Sequence, residues 1–135
     1  MRLFSKDHIW VLFQENGESE SIKSADRVGE QKNRTATLGI TDYAQKKLKS
    51  IMFLNLPDVD DELTISEKFG DVESIKTVSD LIAPLAGKVS KINEELVDDP
   101  SSINTAPYDC WLVEVEVTQL ADDLLDEESY NTSYV

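Results

Sequence analysis

The sequence predicts a mainly β protein, a small barrel or sandwich with peripheral helices. Three observations predict it: apolar runs of strand length recur along the chain, turns separate them at short intervals, and only two segments have the spacing of a helix. A length of 135 residues corresponds to one domain, so we expect residues 1–135 to form a single unit around one core.

The N-terminal half contains three predicted strands. Ile9–Phe13 is a continuous apolar run, which is typical of a buried strand. Residues 14–34 are polar, charged and interrupted by glycines, so we expect a long loop inserted there. Further strands are predicted at 35–40 and at 51–56, the second of them buried, and a short extended piece at 63–65.

A short helix is predicted between the second and third of these strands. Thr41 or Asp42 begins it, because their side-chain oxygens can accept the free N–H groups of a first helical turn. The helix continues to about Lys49. Ala44 and Leu48 lie four residues apart, so both are expected to face the core.

The C-terminal half contains the clearest strand and the second helix. In residues 111–117, Trp111 and three valines share one face and two glutamates the other, which indicates a half-buried strand. Leu120 and Leu124 lie four residues apart, and most acids of the segment lie early in it, where a helix dipole favours them. This pattern predicts an amphipathic helix over 120–130, with fraying from Asn131. The remaining predicted elements are a hairpin at 69–80, a turn at 84–87, a strand at 89–93, a helical turn at 94–96 and a loop at 97–102.

The predicted hairpin presents one lysine among acids. Val72 and Val78 lie on either side of Ser-Ile-Lys-Thr, so two strands joined at a tight bend place Lys76 at or near the tip. A lysine held in this way is a good place to attach a reagent, although an ordinary solvated turn lysine is the simpler interpretation. The acids of the segment are Asp71, Glu73 and Asp80.

The acidic balance of the chain excludes several classes of partner. The 27 acidic and 13 basic residues give a net charge of −14, which argues against nucleic acid and against anionic lipid. No apolar run approaches the length of a membrane span, and no signal peptide is recognisable, so we expect a soluble protein that works where it is made, unless a longer transit peptide has been removed. Cys110, the one cysteine, cannot form an intramolecular disulfide.

The sequence contains no recognisable catalytic or metal site. A Ser/His/Asp site or a Cys/His site would need His8, and the second would also need Cys110. Nothing in the sequence shows that these two residues meet. His8 beside an apolar strand is typical of a hydrogen-bonded boundary histidine, and Cys110 of a plain thiol at a strand entry. One histidine and one cysteine cannot form the usual zinc sites, and no glycine-rich phosphate loop or calcium loop occurs. Lys76 is therefore the distinctive feature.

A series of short motifs spans most of the chain, from about His8 to Tyr130. His8 and Trp10 open the series. The others are Gly-Ile-Thr-Asp-Tyr-Ala-Gln at 39–45, Leu-Asn-Leu-Pro at 54–57, Phe-Gly at 69–70, Val-Glu-Ser-Ile-Lys-Thr-Val-Ser-Asp at 72–80, Ala-Pro at 83–84, Gly87, Asp-Asp-Pro at 98–100, Ile-Asn at 103–104, Ala-Pro-Tyr at 106–108 and Trp-Leu at 111–112. In this order and spacing they closely resemble the H-protein family of the glycine cleavage system.

The resemblance implies a fold, a cofactor and a set of partners. The fold is a lipoyl-domain-like barrel-sandwich hybrid of two antiparallel sheets, with a short internal helix and a C-terminal helix. Lys76 would carry lipoic acid through an amide, which takes residues 71–80 from a charge of −2 to −3. The carrier, which is no enzyme, would take an aminomethyl group from a pyridoxal-phosphate glycine decarboxylase to an aminomethyltransferase and electrons to dihydrolipoyl dehydrogenase. A lipoylating enzyme is the fourth partner, and the carrier is expected to be a monomer.

The resemblance also suggests roles for two acids near the root of the lipoyl arm. Asp80 is the favoured carboxylate for holding the cationic amine of the loaded arm, and its alternative role is to cap the turn. Glu73 is a candidate for recognition by the lipoylating enzyme, and the alternative is a plain exposed acid.

The chain departs from the family pattern at several points. Ile9 stands where the family usually has a glutamate that helps to hold the loaded arm, so Asp7 would have to substitute or the arm is held less firmly. The other departures are Lys49-Ser50 in place of a glycine after the short helix, Asp109-Cys110 in place of a glycine and an acid, and the longer 14–34 loop.

Two alternative functions stay open at this point. A lipoyl relay or donor serving other lipoate-dependent complexes has Ile9 as its only support, and an unmodified acidic binding module on the same fold is the third hypothesis. A biotin carrier is disfavoured, because Ile75 and Thr77 flank Lys76 where biotin carriers typically have methionines. The expected location is the cytoplasm in a bacterium and the mitochondrial matrix in a eukaryote.

Overall fold

The computed structural model describes residues 2–14 and 34–134, so the predicted 14–34 loop lies outside the described residues except at its two ends. The strands are β1 (Arg2–Phe4), β2 (Ile9–Phe13), β3 (Arg34–Ile40), β4 (Ile51–Asn55), β5 (Glu62–Leu63), β6 (Lys68–Ser74), β7 (Val78–Ile82), β8 (Leu85–Ile92) and β9 (Trp111–Leu120). The helices are α1 (Asp42–Leu48), α2 (Glu94–Asp98), α3 (Ser102–Thr105) and α4 (Glu127–Tyr134), with a 3₁₀ turn at Pro107–Asp109.

The described strands form two antiparallel sheets. The larger has the order β1-β2-β3-β9-β8-β5, and the smaller has the order β4-β6-β7. Apolar side chains from both sheets, such as Val115 of β9 and Val72 of β6, meet in one core. The predicted mainly β sandwich with a short internal helix and a C-terminal helix is confirmed. Within the described part of the chain, no helix is long and apolar enough to cross a membrane.

A second apolar cluster lies on the opposite face of the larger sheet. Trp10 points there because its neighbours Ile9 and Val11 face the main core, and side chains alternate along a strand. Its indole N–H donates to the carbonyl of Pro107 at 3.1 Å. Gly39 lies directly beneath the ring, where any Cβ would overlap the indole. The cluster thereby anchors the C-terminal segment, whose Tyr130 packs in it.

Helix α1 forms as predicted. The hydroxyl of Thr41 accepts the N–H of Ala44 at 3.2 Å, which satisfies one of the free donors of the first turn. Ala44 and Leu48 pack against the main core. The helix ends one residue earlier than expected, because Lys49 leaves the helical conformation with a φ of 68°.

The C-terminal helix exists, but the bounds predicted for it, 120–130, are wrong. Leu120 is the last residue of β9 and pairs with Leu85, so the strand uses the residues that were expected to begin the helix. Leu125 then exchanges two backbone hydrogen bonds with Phe4 of β1, at 2.7 and 2.8 Å. Helix α4 begins only after Asp126, whose carboxylate accepts the N–H of Ser129, and it continues through the region expected to fray.

Two predictions about β9 and its neighbour are also wrong. Trp111 does not share the face of the valines, because Leu112 is the extra residue of a β-bulge that turns Trp111 toward the second cluster. The predicted turn at 84–87 is largely strand, since β8 begins at Leu85. Gly87 allows that strand to approach Glu116 of β9, where a Cβ would collide with the Glu116 carbonyl oxygen.

The strand predicted as buried at 51–56 is buried on one face only. Ile51 and Leu54 lie in the core, whereas Met52 and Phe53 are 50% and 61% exposed. The reason is that only one face of the smaller sheet packs on the core, and its other face is uncovered among the described residues. The region predicted as loop at 97–102 contains the end of α2 and the start of α3.

Candidate functional site

Residues 74–77 form the turn between β6 and β7, as the sequence predicts. The N–H of Ser74 donates to the carbonyl of Thr77 at 2.8 Å and closes the hairpin. The Ser74 hydroxyl accepts the N–H groups of Lys76 and Thr77, both at 3.2 Å, and donates to the Thr77 carbonyl at 3.1 Å. The N–H of Ile75 donates to the carbonyl of Ser50 at 2.9 Å. One hydroxyl therefore organises the tip, and the neighbouring segment braces it.

The side chain of Lys76 extends from this tip into solvent. Among the residues that the structure describes, none forms an ion pair or hydrogen bond with its ammonium group. The backbone at Lys76 is held while its side chain is unrestrained. This combination of a fixed root and an exposed amine suits the attachment of a long, flexible group at Nζ.

The three acids of the hairpin share one face of the smaller sheet. Asp71 and Asp80 are cross-strand partners, and the ammonium of Lys68 lies 3.4 Å from Asp71 and 3.3 Å from Asp80. The hydrogen bonds that the Lys68 ammonium donates to the carboxylates, chiefly that of Asp80 and then that of Asp71, raise the pKa of Lys68. Two of the three acids that the sequence places around Lys76, Asp71 and Asp80, therefore form ion pairs with Lys68.

Glu73 has a different setting from the other two acids. It lies between Phe53 of β4 and Val78 of β7 in one row across the sheet, and Asn55, Asp71 and Asp80 form the next row. The amide of Asn55 donates to Asp71 at 2.6 Å and to Glu73 at 3.4 Å. Glu73 is thus a carboxylate flanked by apolar side chains and hydrogen-bonded to a neutral amide.

The N-terminal motif lies in a separate network. Nδ1 of His8 and the hydroxyl oxygen of Tyr130 are 2.7 Å apart, and the hydroxyl oxygen of Thr41 lies 2.9 Å from the same Tyr130 oxygen. His8 is half-buried, and this burial lowers its pKa, with Lys47 adding to the effect and Asp7 opposing it. The prediction of a hydrogen-bonded boundary histidine agrees with this geometry.

Neither Ile9 nor Cys110 supplies a reactive group. Ile9 is 2% exposed and belongs to the main core, so the position offers no acid to an arm at the surface. Cys110 is buried at the entry to β9, and burial, with Asp109 and Asp99 nearby, raises the pKa of its thiol. In the described residues, no group of three or more potential metal ligands is close enough to bind an ion.

Three residues of this site were not identified from the sequence: Ser74, Lys68 and Asn55. A signal existed for Ser74, because serine hydroxyls commonly bond the backbone two and three residues ahead in turns. Lys68 and Asn55 gave no signal. Their contacts depend on strand pairing, and on a bulge at Phe69 that shifts the register of Lys68.

Comparison with known proteins identifies the family. Residues 19–134 match the family model described as glycine cleavage H-protein. The glycine cleavage system H protein of Staphylococcus epidermidis strain ATCC 35984 is 40% identical over 131 residues, covering 95% of this chain and 90% of the relative. That of Staphylococcus haemolyticus is 43% identical over 130 residues, covering 94% and 89%.

A solved structure agrees with these relatives. The crystal structure of a glycine cleavage system H protein from Mycobacterium marinum matches with a TM-score of 0.81 and 34% identity, covering 98% of this chain and 94% of that one. These findings confirm the resemblance drawn from the motifs. The chain therefore belongs to the glycine cleavage H-protein family, whose role in the glycine cleavage system is that of the lipoyl carrier and not of an enzyme.

Proposed function

We propose that Lys76 is the lysine that carries lipoic acid, through an amide at Nζ, in the glycine cleavage system. The observation that carries this proposal is the geometry of the tip: Ser74 holds the backbone on both sides of Lys76, and the ammonium extends into solvent. When attached, the dithiolane supplies a sulfur for the one-carbon cargo and a dithiol that can be reoxidised.

The partners of the loaded chain are a pyridoxal-phosphate glycine decarboxylase, an aminomethyltransferase, dihydrolipoyl dehydrogenase and a lipoylating enzyme. The contribution of the chain is to position the arm, since a rigid root with a long flexible arm can reach several active sites in turn. The curated relatives described above are bacterial, which supports the cytoplasm as the place of work.

Asp80 is proposed to hold the amino group of the cargo against the carrier. Its carboxylate is more than half exposed and lies on the same hairpin as the arm's root. Lys68 already pairs with this carboxylate at 3.3 Å, so a cationic amine would have to displace Lys68 or share the carboxylate with it. Glu73 is proposed to assist recognition by the lipoylating enzyme, because it stands on a strand that leads directly to the tip.

Intact mass of the protein purified from its native cells tests the proposal. We expect the mass gain of one lipoyl amide, with the modified peptide containing Lys76, and no gain in Lys76→Arg. Lys91→Arg removes another exposed lysine, on β8, and should keep the modification. A native protein without an acyl group, or with the group on another lysine, would overturn the assignment. Reconstituted glycine decarboxylation should be lost in Lys76→Arg and retained in Lys91→Arg.

A further inference from the structure

Asn104 joins separate parts of the chain close to the β6–β7 turn. It lies on α3, where its neighbour Ile103 is buried in the main core and anchors the helix. The side-chain amide of Asn104 donates to the side-chain carbonyl of Gln45 at 2.9 Å and to the backbone carbonyl of Lys49 at 2.7 Å. Its side-chain oxygen accepts the N–H of Ile51 at 2.9 Å. Both hydrogens of the amide and its oxygen are therefore in use.

The bond between Asn104 and Ile51 continues to the turn through one peptide group. The N–H of Ile51 and the carbonyl of Ser50 belong to the same planar peptide, so fixing the direction of one fixes the direction of the other. The Ser50 carbonyl accepts the N–H of Ile75 at 2.9 Å. A peptide that is hydrogen-bonded at both ends is polarised by each partner, which strengthens both bonds. Asn104 is therefore two hydrogen bonds away from the residue that precedes Lys76.

The backbone that leads into this peptide needs support from outside. Lys49 has a φ of 68° and a ψ of −143°, a conformation that costs a residue other than glycine energy and persists where its surroundings hold it. Lys49 and Ser50 are both exposed, so burial of their side chains does not hold them. Asn104 bonds the peptide groups on both sides of Ser50, through the Lys49 carbonyl before it and the Ile51 N–H after it. These two bonds set the direction of the Ser50 carbonyl.

We propose that Asn104 is a positioning residue for the root of the lipoyl arm, acting through the Ser50–Ile51 peptide on the N–H of Ile75. The role rests on the proposed attachment at Lys76. Ser74 holds the turn from within, whereas Asn104 ties the turn to α3 and so to the core. The turn then keeps one orientation relative to the body of the protein, and the arm starts from one point in one direction.

Asn93 provides a matched control for Asn104. It is also half-buried, its side-chain amide donates to the carbonyl of Trp111 at 2.8 Å, and its side-chain oxygen accepts the N–H of Leu96 at 3.3 Å. It therefore joins backbone segments in the same way, but its partners lie on β9 and α2, which contain no part of the turn. A general loss of stability should follow substitution of either asparagine, whereas a loss of order in the turn should follow only that of Asn104.

Amide hydrogen exchange followed by NMR tests this bracing. In Asn104→Ala the Ile75 amide should exchange about fivefold faster than in wild type, because its acceptor is no longer held. In Asn93→Ala the same amide should stay within about twofold of the wild-type rate, even where the slowest core amides exchange faster in both variants. Asn104→Asp is a milder change that keeps an oxygen for the Ile51 N–H, and its Ile75 rate should lie between those of wild type and Asn104→Ala. A wild-type Ile75 rate in both Asn104 variants, or equal acceleration in Asn104→Ala and Asn93→Ala, would overturn the proposal.

The kinetics of lipoylation give a second readout, which concerns the arm itself. With purified lipoylating enzyme, Asn104→Ala should raise the KM for the carrier about threefold and leave kcat at saturating carrier unchanged, because only molecules with the root in place are competent to bind. Asn93→Ala should leave both constants unchanged. An unchanged KM in Asn104→Ala would overturn the positioning role. Wild-type protein that the enzyme does not modify at Lys76 would overturn the proposed function instead, and Ile75 exchange would still decide whether Asn104 holds the turn.

Discussion

Lys68 reaches across the β6–β7 hairpin to Asp80, with 3.3 Å between the ammonium nitrogen and the carboxylate oxygen. The pair exists because a bulge at Phe69 brings Lys68 onto the face of Asp71 and Asp80. Both partners are about half exposed, so the attraction between them is modest. Asp80 is thus a carboxylate that already binds an ammonium group of the protein, and in the proposed holding role the cargo amine would displace that group.

If the cargo amine replaces Lys68 at the Asp80 carboxylate, substitutions of Asp80 and of Lys68 should have opposite effects on the rate of ammonia release. With the loaded carrier, Asp80→Asn should release ammonia about two to five times faster, because the cargo amine loses its counter-charge. Lys68→Met should slow release by a similar factor, since the competing ammonium is gone. The measurement is ammonia released from isolated loaded carrier with time. Lys88→Met, on β8, is the matched control and should leave the rate unchanged. Equal rates in wild type and both hairpin variants would remove Asp80 from any holding role.

Ser74 is expected to control the order of the tip. Ser74→Ala removes the hydroxyl that accepts two N–H groups, so the Lys76 and Thr77 amides should exchange hydrogen about fivefold faster, the equivalent of about 1 kcal/mol. Lipoate attachment should slow because the root no longer holds one position. Ser74→Thr retains a hydroxyl and should restore both values in part. Wild-type amide exchange in Ser74→Ala would show that the strands alone hold the turn.

Lys49 offers a stabilising substitution. Its φ of 68° and ψ of −143° lie in a region that favours glycine. Lys49→Gly should raise the free energy of unfolding by about 0.5–1 kcal/mol, the relief of strain being partly offset by the freedom glycine gains in the unfolded chain. Urea unfolding measures it. Lys49→Ala keeps the strain and should change little, and a less stable Lys49→Gly would contradict the backbone argument.

His8 should make the stability depend on pH in a narrow window. Burial lowers its pKa in the folded protein below the usual 6.5, so the neutral ring is the form that fits beside Tyr130. The contribution is complete above pH 6.5 and is lost as the pH falls through 6.5 toward the lower folded value. The free energy of unfolding from urea curves should therefore fall between pH 7.5 and about 5.5.

A substitution isolates that histidine. His8→Asn suits the φ of 71° at this position and should show a flatter profile over the same range. Tyr130→Phe should cost about 1 kcal/mol at pH 7.5, because the hydroxyl that lies between His8 and Thr41 is lost. An identical slope in His8→Asn and wild type would assign the pH dependence to other groups.

The hairpin and its lysine could be predicted because local signals agree there. Two runs rich in β-branched residues flank a four-residue turn, and the lysine has one position at its tip. The role proposed for Lys76 comes from the family motifs, because no local pattern contains it. Helix α1 was predictable for a similar reason, since Thr41 caps it and Ala44 and Leu48 share a face.

The errors fall where long-range pairing decides the local structure. Leu120 and Leu124 have helical spacing, yet pairing with Leu85 keeps Leu120 in a strand and the Phe4–Leu125 pair prevents a helix from starting. The face of Trp111 depends on a bulge at Leu112. The Lys68–Asp80 contact likewise needs a cross-strand register, which a single sequence does not show.

The Ser74 turn has a consequence for the order of events in biosynthesis. Among the described residues, the hydrogen bonds that shape the tip come from backbone groups and from the hydroxyls of Ser74 and Thr77, so the tip is complete before anything is bonded to Nζ of Lys76. On the proposed attachment, the modifying enzyme works on the finished fold. A chain that has not closed its β6–β7 hairpin offers only one lysine among several. The fraction of lipoylated protein in a preparation then reports the fraction of molecules that had folded before they encountered the modifying enzyme.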